Sequence, residues 1–422
     1  MSLDEAFSRF ISEKEASLFR PSASQIATAS KEYGFLEVWC FPSLDSAIAA
    51  AIVLRVLSSS GVQATVYFSP EPPRLIEEPS LLLGYPAAVA TELTVKKPSA
   101  LIGYGERPQG LLPLAVTASN DSSIAALTVG VLSEISIVGG FSVYAVAAGF
   151  WRGMDRGKRG EFPGVENSIV EMLKLENKVE EHFSLRLMRW NSLATEEAMA
   201  VTVQPYLPGL TGSIEAARRM LEEDPRLAQL LGKNMHDAPE QGLAVLGEKL
   251  YDLLKNESRI PRRPSEIIGL AYYSPSSPLP DLRETPYVLA AAASAAGLHA
   301  LLGLAYAEEA SAAAAHYLYR RSLGETVAWI EEARRGKPQQ RRLGRLQIAV
   351  YNEEPPQPQL AEKALSQLGV VQPHQAGVYG DKLLAEKVVE TAGYEALREL
   401  LRQGCLEYLE GSPYVRAKSW SC

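Results

Sequence analysis

Four short apolar runs in the first quarter of the chain have the pattern of buried strands. The runs are 35–41, 62–68, 80–83 and 99–103. Between the first two lies an apolar segment, 46–58, that has the length of a helix and begins next to Asp45, a residue suited to a helix start. A strand, a helix and a strand at this spacing indicate βαβ units, so we expect these strands to lie parallel in one sheet.

Helical patterns dominate the middle of the chain. They cover 122–134 and 143–150 and continue from 165 to 217, with a break at the Pro- and Gly-containing segment 204–212. Further helices are expected as far as about residue 258. This stretch therefore predicts a largely helical region after the parallel sheet.

A second α/β region is predicted beyond a linker at 259–265, which is rich in proline and arginine. Strand-like patterns at 266–274 and 345–352 enclose alanine-rich helices. From there to the end of the chain we expect a helix, a loop and a helix. The fold class is therefore α/β, with two α/β regions and helices between them.

Composition and charge narrow the possible functions. The chain has 422 residues, 46% of them hydrophobic and 22% charged, which is typical of a globular protein with more than one domain. The net charge of −8 argues against a protein that coats nucleic acid by bulk electrostatics. The uncharged segment 288–307 contains nine alanines among its twenty residues, so we expect close-packed buried helices there and no membrane span.

Common catalytic motifs are missing from the sequence. The three cysteines form no CxxC pair and the five histidines lie far apart, so the spacing of a zinc site is absent. Gly157 and Lys158 lack the remaining residues of a phosphate-binding Walker loop. The acidic start of the chain has no secretory signal pattern, so we expect a soluble cytoplasmic protein.

The segment Cys40–Pro70 resembles the first motif of the DHH phosphoesterases, the RecJ-like nucleases. In that family, histidines and aspartates of several motifs hold two manganese or magnesium ions. The resemblance puts Phe41 at the histidine of this motif and Ser43 at its first aspartate. Only Asp45, at the second aspartate, keeps a residue type that binds a metal.

The remaining catalytic motifs are degenerate in the same way. The segments Leu81–Pro86 and Ala100–Pro108 fall where the family has an aspartate and the DHH triplet, and a later metal-binding aspartate aligns with Phe150. The residues at these positions are Gly84, Tyr104, Gly105, Glu106 and Phe150. The resemblance therefore implies a chain without a catalytic centre and without a metal cofactor.

The connector carries the most specific resemblance. Gln204–Glu223, which contains PYLPGLTG, is similar to a segment of archaeal RecJ homologues of the GINS-associated nuclease type. In the DHH-associated domain that should follow, Leu298 stands at the family's arginine and Pro413 at the histidine of the closing loop, Glu410–Trp420. The implied organisation is a DHH-like domain with a parallel sheet, a helical connector and a C-terminal DHH-associated domain, at 1–192, 193–262 and 263–422.

Inactive members of this family act in DNA replication as accessory subunits of the replicative helicase. The resemblance therefore implies a non-catalytic scaffold with GINS and MCM as partners, with GINS docking on the DHH-like domain at an exposed sheet edge. One alternative is a metal-dependent single-strand exonuclease or phosphodiesterase with a rearranged ligand set. Another is a plain module that binds single-stranded DNA, with affinity that falls steeply with salt.

Individual candidate residues have structural explanations as well as functional ones. We expect Asp45 to cap the helix that follows it, Asp155 to form an ion pair in its arginine-rich loop, and His299 to be a buried histidine. The run Arg334–Arg345 has six basic residues and no acid, so it is either a solvated loop or a weak contact for single-stranded DNA. Its basic residues are Arg334, Arg335, Lys337, Arg341, Arg342 and Arg345.

Overall fold

The computed structural model describes residue 7, residues 9–110 and residues 112–419. The helices are α1 Glu13–Glu32, α2 Leu44–Ser59, α3 Ile124–Ser133, α4 Val143–Trp151, α5 Val165–Leu175, α6 Thr195–Val201, α7 Ile214–Glu222, α8 Pro225–Ala228, α9 Glu240–Glu257, α10 Thr285–Ala296, α11 Glu308–Arg335, α12 Pro358–Gln367, α13 Ala385–Ala392 and α14 Tyr394–Arg402. The strands are β1 Phe35–Cys40, β2 Gln63–Phe68, β3 Leu75–Ile76, β4 Ser80–Pro86, β5 Thr94–Val95, β6 Ser99–Tyr104, β7 Ala115–Ala118, β8 Glu180–Leu185, β9 Ile268–Tyr273, β10 Gln339–Leu343, β11 Leu346–Tyr351, β12 Gln375–Tyr379, β13 Lys382–Leu384, β14 Leu406–Tyr408 and β15 Tyr414–Ala417.

The first half contains a five-stranded parallel sheet in the order β2-β1-β4-β6-β7. This confirms the parallel sheet that the sequence predicts. Helix α2 begins after Ser43, whose hydroxyl accepts a hydrogen bond from the Ser46 amide at 3.2 Å. Nearly every residue of α2 is buried, because one side of the helix packs on the sheet and the other side packs on α3 and α4. Because all pairs are parallel, the carboxyl ends of the five strands lie at one edge of the sheet.

The second half contains a six-stranded sheet in the order β10-β11-β12-β13-β15-β14. Its pairs are antiparallel except for β11 and β12. The expectation of a helix, a loop and a helix after residue 352 is wrong, because four short strands lie between and beyond the helices. Strands of three to five residues leave little periodic signal, and their hydrogen-bond partners are distant in sequence.

The strands β8 and β9 pair with each other in an antiparallel two-stranded sheet. The expected helix through 180–185 is wrong, because this segment pairs with a strand more than eighty residues later. The residues between the two strands form a hydrophobic core of their own, which extends from Leu185 to Ile267.

The alanine-rich segment forms two buried elements, α10 and a 3-10 helix at Leu298–Ala305, as the sequence predicts. Both elements pack on α2 of the first half and on α11. None of the described helices is long and apolar enough to span a membrane.

Candidate functional site

A cavity of about 180 Å³ lies at the carboxyl edge of the parallel sheet, and we refer to it as the cleft. Residues at or just after the ends of β1, β4, β6 and β7 line one side of it. Glu386, Val389 and Glu390 of α13 line the opposite side. The cleft therefore lies between the two halves of the molecule, in the position where parallel α/β sheets bind ligands.

Five of the eight positions predicted from the family motifs line the cleft, so the structure brings them together: Phe41, Ser43, Asp45, Gly84 and Tyr104. Gly105 follows Tyr104 directly, and its amide donates to Asn120 Oδ1 at 2.9 Å. Glu106 is exposed and does not line the cleft. Phe150 lies elsewhere, in an aromatic cluster.

The expectation that Asp45 caps its own helix, α2, is wrong. Its carboxyl caps the start of α3 instead. Its Oδ2 accepts from the Ile124 amide at 2.9 Å, and its Oδ1 accepts from the Ala125 amide at 3.0 Å. The reason is that Ser43 already caps α2, which leaves the Asp45 carboxyl to a neighbouring helix start. Burial raises the pKa of Asp45 to about 6, although nearby Arg152 and these two amides lower it.

Phe41 fills the place of the first expected ligand with a buried aromatic ring. It meets Tyr85 edge-on at 6.1 Å between ring centroids and Tyr394 of α14 at 6.3 Å. These contacts join the parallel sheet to the second half through an apolar core. A ring in such packing cannot bind a metal ion, so this position contributes stability and no chemistry.

Gly84 is required by local geometry. Its φ is +79°, and a Cβ atom added there would come within 2.0 Å of the Ser46 hydroxyl oxygen. The register of β4 against β6 shifts between Leu83 and Pro86, so the strand is irregular at this point. A side chain at this position, including the aspartate of the family motif, does not fit beside Ser46.

Arg152 is the central charged residue of the cleft, a position that no sequence motif indicated. Its guanidinium forms ion pairs with Glu386 and, at 2.9 Å, with Glu390, both in α13. Although burial opposes it, the two carboxylates raise the pKa of Arg152 above its usual value. No local sequence signal indicates these pairs, because both glutamates lie more than 230 residues after Arg152 in the sequence.

A second buried carboxyl, Glu166 of α5, also binds the start of α3. Its Oε1 accepts from the Ser123 amide at 2.7 Å, while its Oε2 has no hydrogen-bond partner among the described residues. Burial raises the pKa of Glu166 to about 7, partly offset by the Ser123 amide. Two carboxyls with raised pKa values therefore meet at one helix start.

The donor set of the cleft does not fit a two-metal centre. In residues 7, 9–110 and 112–419, no three His, Cys, Asp or Glu side chains form a group that could hold a metal ion. Both oxygens of Asp45 accept amide hydrogen bonds, and Glu386 and Glu390 are paired with Arg152. Two ions about 4 Å apart require several carboxylates and imidazoles directed at a common point.

The loop after α4 is held by structural contacts. Asp155 forms an ion pair, as predicted. Its partner is Arg186, the residue directly after β8, at 2.6 Å, and not an arginine of its own loop. Arg186 and Arg283 lie 5.7 and 5.9 Å from the ring of Phe150. Phe150 is therefore a packing residue beneath buried arginines.

Two motif positions of the second half lie together. The Leu298 amide donates to the Gly411 carbonyl at 2.7 Å, so the start of the 3-10 helix touches the closing loop. Pro413 accepts from the Ala385 amide at 3.0 Å, whereas Trp420 lies outside the described residues. The prediction of a buried His299 is wrong: its side chain is exposed and meets the edge of Phe68 at 4.9 Å.

The basic run Arg334–Arg345 spans the end of α11, the edge strand β10 and the turn before β11. Arg334 is occupied by ion pairs with Glu257 and Glu331. The other five basic side chains are exposed, with Arg335 at 3.9 Å from Glu331. They do not line the cleft.

Comparison with known proteins gives a structural match and no sequence match. No protein-family model matches the sequence, and no curated protein sequence matches it significantly. The crystal structure of Cdc45 from Entamoeba histolytica superposes with a TM-score of 0.57 at 9% identity, covering 95% of each chain. The chain has the fold of Cdc45.

Structures of RecJ match less well. RecJ from Thermus thermophilus with manganese has a TM-score of 0.40 at 10% identity, covering 99% of this chain and 53% of that one. A manganese-bound exonuclease RecJ has a TM-score of 0.40 at 12% identity, covering 99% and 91%. The Cdc45 match over nearly the full length confirms the predicted α/β fold.

Proposed function

We propose that this chain is a non-catalytic DNA replication factor, an archaeal counterpart of Cdc45 that serves as an accessory subunit of the replicative helicase and binds GINS and MCM. The observation that carries the proposal is the cleft. Its expected ligand positions hold a packed phenylalanine, a capping serine, a glycine and a tyrosine. Its one carboxylate at those positions is committed to a helix start.

The absence of nuclease activity is tested directly with the full chain. With excess manganese or magnesium, 5′-labelled single-stranded DNA and RNA should remain intact, because the cleft lacks a metal-binding donor set. Metal-dependent cleavage that is lost in Asp45→Ala would overturn the proposal. It would favour the alternative, an exonuclease or phosphodiesterase with a rearranged ligand set.

The edge strand β2 supports a docking site on the first half. Among the described strands it pairs only with β1, and it contains neither a charged residue nor a proline, the features that usually protect sheet edges. Tyr67 on this strand is 37% exposed and stacks on Trp39 at 4.4 Å. An open strand with an exposed tyrosine is suited to a partner that adds a strand.

Docking is tested by size-exclusion chromatography of the full chain with GINS from the same source. We expect co-elution at micromolar concentration, with an interface near 800 Å² per partner. Tyr67→Lys should weaken the affinity for GINS at least tenfold. Tyr317→Lys, the same change at a tyrosine 63% exposed on α11, should not. Failure of the wild-type chain to bind either GINS or MCM would overturn the helicase role.

The proposal keeps the three-part division at 1–192, 193–262 and 263–422. The separate hydrophobic core between β8 and β9 supports a connector that folds around its own interior. Weak contacts with single-stranded DNA are assigned to the exposed members of the basic run: Arg335, Lys337, Arg341, Arg342 and Arg345.

A further inference from the structure

A second cavity, of about 260 Å³, lies apart from the cleft. Five separated segments meet there: α2, the turn before α4, the residues before β8, the loop after β9 and the start of α11. Its polar side chains are Arg55, Lys178, Glu308, Ser274, Ser276 and Ser277. Nothing in the proposed helicase role uses this cavity.

The two cations of this cavity have no carboxylate partner in the described part of the chain. Arg55 is oriented by a hydrogen bond from Nη1 to the Ala305 carbonyl at 3.1 Å and lies 5.9 Å from the ring of Phe141. The stem of Lys178 passes over Gly140, with Cδ 3.8 Å from the place where a Cβ would stand. Both side chains are thus directed by packing toward the same cavity, with charge left available.

The carboxylate of Glu308 is already engaged. Its Oε1 accepts from the Tyr144 hydroxyl at 3.0 Å. The cavity therefore has two cations for one carboxylate, in a chain whose net charge is −8. A local excess of positive charge in an acidic protein favours an anionic ligand.

Ser274 provides an independent observation. It lines the cavity with 1% of its surface exposed, and its hydroxyl has no hydrogen-bond partner among the described residues. Buried hydroxyls almost always have a partner, so a water molecule or a ligand atom is needed there. Two more hydroxyls, those of Ser276 and Ser277, lie on the same loop.

We propose that this cavity binds a phosphate group, either as free phosphate or on a small hydroxylated molecule. Arg55 and Lys178 bind the phosphate oxygens, and the serine hydroxyls donate to them. In a carried phosphate, Glu308 accepts from a hydroxyl of the carrier.

The test is equilibrium dialysis of the full chain with radiolabelled inorganic phosphate and with ribose 5-phosphate, at ionic strength held constant with sodium chloride. Lys178→Met should lower the affinity at least tenfold, because it removes a charge that makes no other ion pair in the described part of the chain. Arg55→Met should do the same. The matched control is Lys174→Met, because Lys174 is already paired with Glu171 at 2.9 Å and Glu181 at 3.4 Å.

The outcomes separate the two sources of phosphate. Equal binding of both probes supports free phosphate as the ligand. Tighter binding of ribose 5-phosphate, reduced by Glu308→Gln, supports a carried phosphate. The proposal is overturned if neither probe binds saturably up to about 20 mM, or if Lys178→Met, which removes no ion pair within the described residues, leaves binding unchanged.

Discussion

The cleft and the basic run place charged side chains in opposite circumstances. In the cleft, Arg152 is partly buried and paired with two carboxylates of the other half, and both oxygens of Asp45 bind amides. In the basic run, Lys337, Arg342 and Arg345 are exposed on an edge hairpin and make no ion pair within the described residues.

The difference teaches which charges hold the fold together. A charge that is withdrawn from water must be satisfied internally, so removing its partner leaves a costly unpaired group. An exposed charge is satisfied by water and can be exchanged for a partner's phosphate with little change in stability. Substitutions in the cleft should therefore alter stability, and substitutions in the basic run should alter only binding.

The largest effect is expected from Phe41→Ala. The change empties the space between Tyr85 and Tyr394 and should lower the free energy of unfolding by about 3–5 kcal/mol. Urea denaturation followed by circular dichroism measures it. Phe183→Ala, at a phenylalanine 55% exposed, is the control and should cost less than about 1 kcal/mol. Equal losses would show that Phe41 is not a packing residue of the cleft.

Arg152→Met should have the next largest effect. It removes the arginine that pairs with both Glu386 and Glu390, while Lys387 stays 3.7 Å from Glu390. The expected cost is about 2–3 kcal/mol, because the arginine side chain is 25% exposed and the pairs are only partly desolvated. Arg416→Met is the control, since its pair with Asp381 is 43% and 51% exposed and should contribute less than about 1 kcal/mol. A loss no greater than the control's would contradict the link between the halves.

The pH dependence of stability sharpens the description of the cleft. In the folded chain Asp45 and Glu166 have pKa values of about 6 and about 7, raised by burial. Below these pKa values the folded state keeps protons that the unfolded chain has already released. The stability that the two carboxyls contribute is therefore complete below about pH 4 and is lost as the pH rises to about 7.

Over this pH range, each carboxyl should lower the free energy of unfolding by on the order of 2 kcal/mol. Thermal denaturation at fixed pH values from 4 to 8 measures the effect. Asp45→Asn should flatten the lower part of the slope and Glu166→Gln the upper part. Asp121→Asn, at an exposed aspartate, should leave the slope unchanged. Parallel profiles for all three variants would argue against buried, protonated carboxyls.

The smallest effect on the molecule itself is expected in the basic run. Replacing Arg341, Arg342 and Arg345 with glutamine should leave the melting temperature within about 1 °C, because these side chains are exposed. The slope of log K against log salt for single-stranded DNA should fall by about 0.7 for each phosphate contact removed. Fluorescence anisotropy measures the slope, with Lys14→Gln and Lys31→Gln on α1 as controls. An unchanged slope would mean that the run is a solvated hairpin.

The parallel sheet could be predicted from the sequence because β1, β4 and β6 are short, largely apolar runs and the apolar helix α2 connects β1 to β2. Strand β8 could not, because its residues Glu180–Leu185 are largely polar and it is a strand only by virtue of pairing with β9. Pairing over such a distance has no local signature.

Only part of the candidate site could be predicted, because some of its contacts join segments that are distant in sequence. The resemblance to the DHH motifs indicated positions such as Phe41 and Gly84, and the sheet brings them together because parallel strands end at one edge. The partners of Asp45 and Arg152 do not follow, because a helix start and a facing helix from distant segments supply them. Tertiary contacts decide which of several plausible partners a charged side chain obtains.

The irregular point at Gly84 also limits how this chain can change over generations. A single codon change that introduced aspartate there would force a side chain into the Ser46 hydroxyl and into a backbone conformation with φ of +79°. Such an intermediate would be unstable before any new chemistry arose, unless Ser46 and the strand irregularity had changed first. A carboxylate at this place is therefore separated from the present sequence by several ordered substitutions and is not accessible in one step.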